Sequence, residues 1–387
     1  MPVMKIIITG TVGLDKGPYL EKVAQMAREN GKDLTICHVG RRMYAEAPDI
    51  TPGRILDLPL SRLRTLRRSV FKDILALAEE TENLIINTHA TFRWKHGLFP
   101  AFDFDQVALL QADMYICLID NVDALHARLL HEHQIDHSLK DLLVWREEET
   151  LATEMMMLGC TWQSCRIQPP THTLFEGATN SPRFYLLARG QNPTTEETLY
   201  RLMFRPEIAK TYLSFPMSHV TDMPEILAEI AAFRKTLAEH FIVFDPSDLE
   251  EQQLYVDALS ASEQGQKVME VQVLGETLRF DVAEIMQVAG DIHGQIYARD
   301  FMLIDQADMI ISYIPQMPGG KPGLSSGVER ELQHAHEAAK EVYIVWKSKA
   351  EPSPFVSETA TRIFSSTEEA ITYFKTNLYQ NSERRSL

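Results

Sequence analysis

Two acidic side chains, Asp300 and Glu331, offer the plainest chemistry in this sequence. A carboxylate can attack the anomeric carbon of a glycoside and leave a covalent glycosyl–enzyme, which water or another acceptor resolves. A second carboxylate can hold the sugar or move the proton. Between the two runs an apolar strand, MIISYI, closed by Pro315 and followed by a loop of glycine, proline and serine, PQMPGGKPGLSSG. Asp300 is expected to open a helix, DFMLIDQAD, and Val328-Glu329-Arg330-Glu331-Leu332 to head another. Ser325, Ser326 and the N–H groups around Gly327 would then cradle a phosphate, because helix N-termini favour anions and ligands of open α/β sheets sit at the carboxyl ends of strands. Spacing alone also fits a structural reading. Glu329 and Glu331 would be first-turn acids complementing a helix dipole, and Asp300 an N-cap.

A second loop has the context of a phosphate cradle. Residues 5–9 read as a buried strand, Gly10-Thr11-Val12-Gly13-Leu14-Asp15-Lys16-Gly17 as a glycine-rich turn, and residues 18–30 as an amphipathic helix. Gly10, Gly13 and Lys16 are the candidate phosphate contacts. The motif ends in Gly-Lys-Ser/Thr, whereas this chain has Asp15-Lys16-Gly17: Gly17 brings no hydroxyl for Mg²⁺, and Asp15 sets a like charge beside the phosphates. A loop that still binds a nucleotide and a relic with a structural role are both expected.

The elements that must position these residues follow an alternating pattern. Strands over 33–39, 83–87, 114–119 and 184–188 alternate with helices over 61–80, 122–131 and 195–204, and the stretch 136–159 is polar and helical. Such alternation implies a parallel sheet covered on both faces. After a linker at 206–209 the strand pattern restarts at 210–217. A helix over 226–240 places Ile226, Ile230, Phe233 and Leu237 on one face, and a strand over 241–244 follows. Runs at 268–273 and 277–280 around Gly275 predict a hairpin; strands at 341–346 and 363–364 and a helix at 366–377 close the chain. The fold class expected is α/β, with two three-layer domains and parallel sheets. Residues 1–205 form the first, and residues 208–387 a flavodoxin- or Rossmann-like second, with an insertion near 250–285.

Composition narrows the function classes. The chain has 387 residues, enough for two domains, and a formal net charge of -16. That balance argues against a surface that wraps nucleic acid, since phosphate backbones need clustered cations. The four cysteines, Cys37, Cys117, Cys160 and Cys165, give no disulfide framework, and Cys160, Cys165 and His172 give no convincing metal set. The N-terminus lacks a signal-peptide pattern and no apolar run reaches the ~20 residues that span a bilayer. A soluble, cytoplasmic protein is expected.

The order MKIIITG, glycine-rich loop, LIINTHATFR, MYICLIDNVDALHARLL resembles the P-loop nucleoside monophosphate kinases, especially the archaeal adenylate kinase type, over residues 4–205. That family's strand ends in Asp-Thr-His-Ala where Asn87 stands here, and its lid carries several arginines that neutralise transferred phosphates. The resemblance implies ATP or another nucleotide, with Mg²⁺, held by Gly10, Gly13, Lys16, Arg93, Arg128 and Arg146. Kinase turnover, nucleotide binding without turnover, and a scaffold role are the three outcomes it leaves open.

The stretch YARDFMLIDQADMIISYIPQ…SSGVERELQHAHEAAKEVYIVW resembles the nucleoside 2-deoxyribosyltransferase superfamily, particularly the 2′-deoxynucleoside 5′-phosphate N-hydrolases. Their pattern of Arg-Asp, Ala-Asp and Ser-x-Gly-Val-x-x-Glu-Leu is matched by Arg299-Asp300, Ala307-Asp308 and Ser325 to Leu332. The resemblance implies Glu331 as nucleophile, Asp300 as the assisting aspartate, Tyr212 beside the nucleophile and Ser325 at the phosphate, with no cofactor required. The first loop, Ser214-Phe215-Pro216-Met217-Ser218-His219, is bulkier than that family's; Phe215 and His219 contact the base or pack. The expected function is an N-glycosidase acting on (deoxy)nucleoside 5′-monophosphates. The alternatives are a nucleoside 2-deoxyribosyltransferase, a non-catalytic nucleotide sensor, and a nucleotide kinase fused to a glycosidase. The expected partner is a small nucleotide substrate, and both resemblances suggest a homodimer or higher homo-oligomer.

Overall fold

The structure is a computed structural model that describes residues 4–51, 53–94, 97–133, 136–167, 182–190, 194–220 and 222–378. Its strands are β1 (Met4–Thr9), β2 (Thr35–His38), β3 (Asn83–Asn87), β4 (Thr91–Trp94), β5 (Gly97–Pro100), β6 (Met114–Ile119), β7 (Arg183–Ala188), β8 (Lys210–Ser214), β9 (Ile242–Phe244), β10 (Val268–Val273), β11 (Glu276–Asp281), β12 (Met309–Ile314), β13 (Glu341–Trp346) and β14 (Arg362–Phe364). Its helices are α1 (Lys16–Glu29), α2 (Val39–Glu46), α3 (Leu60–Glu80), α4 (Phe104–Leu110), α5 (Val122–His133), α6 (Leu139–Ile167), α7 (Thr194–Phe204), α8 (Met217–Val220), α9 (Pro224–His240), α10 (Glu251–Glu263), α11 (Val282–Asp305), α12 (Ser326–Glu337), α13 (Pro354–Ser357) and α14 (Thr367–Asn377). Two compact units result. One takes 1–197 with 249–293, the other 198–248 with 294–387.

In the first unit five parallel strands lie in the order β2-β3-β1-β6-β7. Ile6, Ile7, Ile8, Leu84, Ile85, Ile86, Ile116 and Leu118 are fully buried, as continuous apolar runs in a parallel sheet must be. Helix α3 lays Leu63, Val70, Phe71 and Ile74 into that core at helical spacing. The short antiparallel pair β4–β5 was not anticipated from the sequence. The hairpin expected near 268–280 forms as β10–β11, and its two turn residues, Leu274 and Gly275, have φ of 53° and 85°, as tight hairpins require. By its contacts this 249–293 segment belongs to the first unit: Glu251 accepts from Arg146 Nη2 at 3.0 Å and from the Val122 N–H at 2.9 Å.

In the second unit five parallel strands lie in the order β14-β13-β12-β8-β9. Counted from its own first strand, this is the doubly wound order 2-1-3-4-5, and the reversal of direction falls between β8 and β12. Ile230, Phe233 and Leu237 of α9 pack on the sheet as their spacing predicts, with Tyr313, Tyr343, Phe364 and Phe374 in the same core. Asp308 fixes the start of the sheet by accepting from the Lys210 N–H at 2.8 Å, while its own N–H returns to the Lys210 carbonyl at 2.8 Å.

One expectation is corrected here. Asp300 neither opens nor caps a helix; it lies near the end of the 24-residue α11. No proline interrupts 282–305, and buried apolar residues lie in both halves of the helix, Ile285, Val288 and Ile292 in the first and Leu303 and Ile304 in the last, so Gly290 and Gly294 are carried within it. Among the described residues no helix is long and apolar enough to cross a membrane.

Candidate functional site

Glu331 occupies the second turn of α12, the helix that follows β12. Tyr212 and Ser214 project from β8 two residues apart, hence on one face of the sheet. Tyr212 donates its hydroxyl to Glu331 Oε1 at 3.0 Å, and Ser214 donates to Oε2 at 2.5 Å. Both oxygens of one carboxylate are thus held from a single strand at the switch point of the sheet. Burial pushes the Glu331 carboxyl up to about 7; the Asp300 charge adds to the rise, and the two hydroxyls oppose it. Asp300 is lifted to about 6, again by burial, against the pull of Arg299, whose Nε lies 3.5 Å from Oδ1. Burial and the Glu331 charge raise the Tyr212 phenol well above its usual range, so it serves as a donor. The raised value of Asp300 lets that carboxyl carry a proton near neutral pH, as a general acid must, and Glu331 is ionised in part over the same range.

The remaining candidates separate. Ser325 is the N-cap of α12, its Oγ accepting from the Val328 N–H at 3.2 Å. Ser326 and Gly327 are exposed in the first turn, and Ser326 lines a groove of about 460 Å³ with Glu329, Arg330, Gln333 and Phe355. Phe215 is a core residue packed among Val220, Ile230 and Phe233, with the Arg234 guanidinium 5.9 Å from its ring centre. The side chain of His219 lies outside the described residues. Loop 315–324 folds on itself: Gly323 N–H donates to the Pro315 carbonyl and Met317 N–H to the Lys321 carbonyl, both at 2.8 Å. Ser214 was passed over in the sequence as part of a bulky loop. The available signal was its position two residues after Tyr212 on a strand, which places both hydroxyls on one face.

The glycine-rich turn of the first unit has a different arrangement. Glu149, fully buried on α6, accepts from the N–H groups of Gly10 at 3.1 Å, Ala90 at 2.7 Å and Thr91 at 2.8 Å, and from the Thr91 hydroxyl at 2.6 Å. One N–H of the glycine-rich turn, that of Gly10, thus already serves an internal carboxylate. Lys16 Nζ donates to the Gly10 carbonyl at 2.8 Å, and burial brings its ammonium down to about 8, with Glu149 opposing. Gly10 and Gly13 are required by packing: both have positive φ, and a Cβ would meet Leu14 and Leu118 at the first and Leu129 at the second.

The three arginines are engaged as well. Arg93 pairs with Glu148, Arg128 with Asp120, and Arg146 with Glu251. Gly17 has no hydroxyl to offer Mg²⁺, and Asp15 sits 3.6 Å from Arg189. Among the described residues no three metal-ligating side chains cluster; Cys165, by its side chain, and His172 lie outside them. Glu149 has no sequence signal, because it reaches Gly10 across 139 positions.

Comparison with known proteins adds the following. A family model described as "AAA domain" matches residues 9–143, and the first unit is P-loop NTPase-like. No curated protein matches the chain. Among solved structures, a 2-deoxyribosyltransferase from Bacillus psychrosaccharolyticus is 18% identical, with 43% of this chain and 95% of that one covered, at a TM-score of 0.23. A shikimate kinase from Bacteroides thetaiotaomicron is 14% identical, with 52% and 96% covered, at a TM-score of 0.29. With scores this low, the functional case rests on the geometry of the site.

Proposed function

We propose that the second unit is an N-glycosidase that hydrolyses the N-glycosidic bond of (deoxy)nucleoside 5′-monophosphates, with Glu331 as nucleophile. The observation that carries this reading is the held carboxylate at the sheet's switch point, with a hydroxyl on each oxygen and the charge of Asp300 acting on it. A Glu331 oxygen bonds to C1′ as the C1′–N bond breaks, and the departing base keeps the electron pair and takes a proton from Asp300. Water then adds to C1′, gives its proton to Asp300, and releases Glu331 as the carboxylate. The products are free base and (deoxy)ribose 5-phosphate.

The substrate class follows the resemblance of Arg299-Asp300 and Ser325 to Leu332 to the deoxynucleotide hydrolases, together with the exposed first turn of α12 available to a phosphate. Chromatography of a nucleotide and nucleoside panel after incubation tests the reading. Base release that disappears in Glu331→Gln is expected; a panel with no free base, or unchanged turnover in that variant, overturns it. A new nucleoside on adding a second free base would identify transfer in place of hydrolysis.

For the first unit the internal pairing of its arginines and the hydrogen bond of Gly10 to Glu149 favour a structural role over phosphoryl transfer. Calorimetry with ATP, AMP and deoxynucleotides is expected to show no heat that depends on Lys16. Binding abolished by Lys16→Ala, or Mg²⁺-dependent formation of ADP from ATP and AMP, would overturn that role.

A further inference from the structure

A carboxylate held at one oxygen can still swing about its last side-chain torsion, which is broad and roughly two-fold. Glu331 is held at both: Tyr212 on Oε1 and Ser214 on Oε2, each donor coming from β8 and so fixed relative to the other. Ser214 is fully buried and lies at the carboxyl end of the strand, in register with Ser312 of β12. Ser312 is equally buried, yet its Oγ makes no hydrogen bond among the described residues. Two neighbouring serines on the same face therefore differ in one respect, the bond to Glu331.

We propose that Ser214 is a positioning residue for Glu331: with Tyr212 it clamps the carboxylate plane at both oxygens and favours the ionised form over the protonated one. The hydrogen bond does this because a hydroxyl donates to the carboxylate and loses that bond on protonation of the oxygen it serves. Burial and the charge of Asp300 on α11 drive Glu331 toward the protonated form; Ser214 and Tyr212 from β8 drive it back. Arg299, beside Asp300, is the cation that acts on Tyr212 and Asp300 from the same helix. In the proposed reaction the clamp orients the attacking oxygen, and that part rests on the glycosidase reading. The hold on the carboxylate does not.

The test is a titration of the Glu331 carboxyl in the full chain by carbon-13 NMR, with the signal assigned by its loss in Glu331→Gln. Ser214→Ala is expected to raise the midpoint by about one unit, the effect of a lost charge-assisted hydrogen bond. Ser214→Thr, which keeps the hydroxyl, should return it most of the way and remains informative if the alanine variant folds poorly. Ser312→Ala should leave the midpoint in place. An unchanged midpoint in Ser214→Ala, or an equal rise in Ser312→Ala, overturns the clamp whether or not any substrate is cleaved. Where base release is observed, its falling pH limb should move upward with the Ser214→Ala midpoint, because Glu331 has the higher of the two proton affinities, while kcat falls roughly 10- to 100-fold. Failure of the glycosidase reading appears separately, as absence of base release from the unaltered protein.

Discussion

Glu149, buried, and Glu331, half-buried, are glutamates on helices of two units that each contain a parallel sheet, and each accepts hydrogen bonds from a strand or the loop after one. Glu149 accepts from three backbone N–H groups and a hydroxyl, which uses its lone pairs almost completely. Glu331 accepts from two side-chain hydroxyls, and burial leaves its proton affinity high. The difference lies in what each group has left. A saturated carboxylate ties elements together and has nothing to offer a ligand; a clamped, under-solvated one keeps lone pairs and a labile proton. On the proposed reading, the unit with the more obvious nucleotide motif holds the structural carboxylate and the other the reactive one.

The largest expected effect is on activity. Glu331→Gln should reduce base release by at least about a thousandfold, because an amide cannot form the covalent intermediate; single-turnover release of free base measures it. Glu149→Ala should act on stability instead, at about 3–5 kcal/mol in urea unfolding, because buried N–H and hydroxyl donors lose their acceptor and the Lys16 ammonium loses a compensating charge. That variant should leave base release from the folded protein unchanged. If Glu149→Ala were stable and bound ATP, the contrast between the two glutamates would be one of occupancy, not of design. Asp300→Asn should lower kcat roughly a hundredfold with smaller effects on substrates whose leaving base needs no proton. Comparing activated and ordinary bases reads that split.

The smallest effects are in pH dependence. Glu331 must be ionised and Asp300 protonated for the proposed first step, so kcat should be bell-shaped with its maximum near pH 6–7, between values of about 7 and about 6. Stability has its own sign. Both folded carboxyls bind protons more tightly than their ordinary values of 4.5 and 3.8, so the stability they contribute is complete below those values. It is lost as pH rises through about 7 and about 6, with Glu331 accounting for about 3 kcal/mol of that loss. Thermal unfolding should show a falling melting temperature over that window, and Glu331→Gln should flatten about half of the fall. An unchanged slope in Glu331→Gln would place the pH sensitivity elsewhere.

Local pattern alone determined much of this protein. Continuous apolar runs marked the parallel strands, glycine and serine marked the turns after β1 and β12, and the resemblance of the motifs around them singled out the carboxylates at 300 and 331. Side-chain spacing along a strand or helix depends on its nearest neighbours, so these features survive without knowledge of the fold. Tertiary structure decided the rest. Only chain packing placed Asp300 late in a long helix, put two β8 hydroxyls on the oxygens of Glu331, and joined Glu149 to Gly10 of the glycine-rich turn. The donors and acceptors involved lie more than a hundred positions apart, and burial, which sets the proton affinity of each carboxyl, is a property of the assembled core.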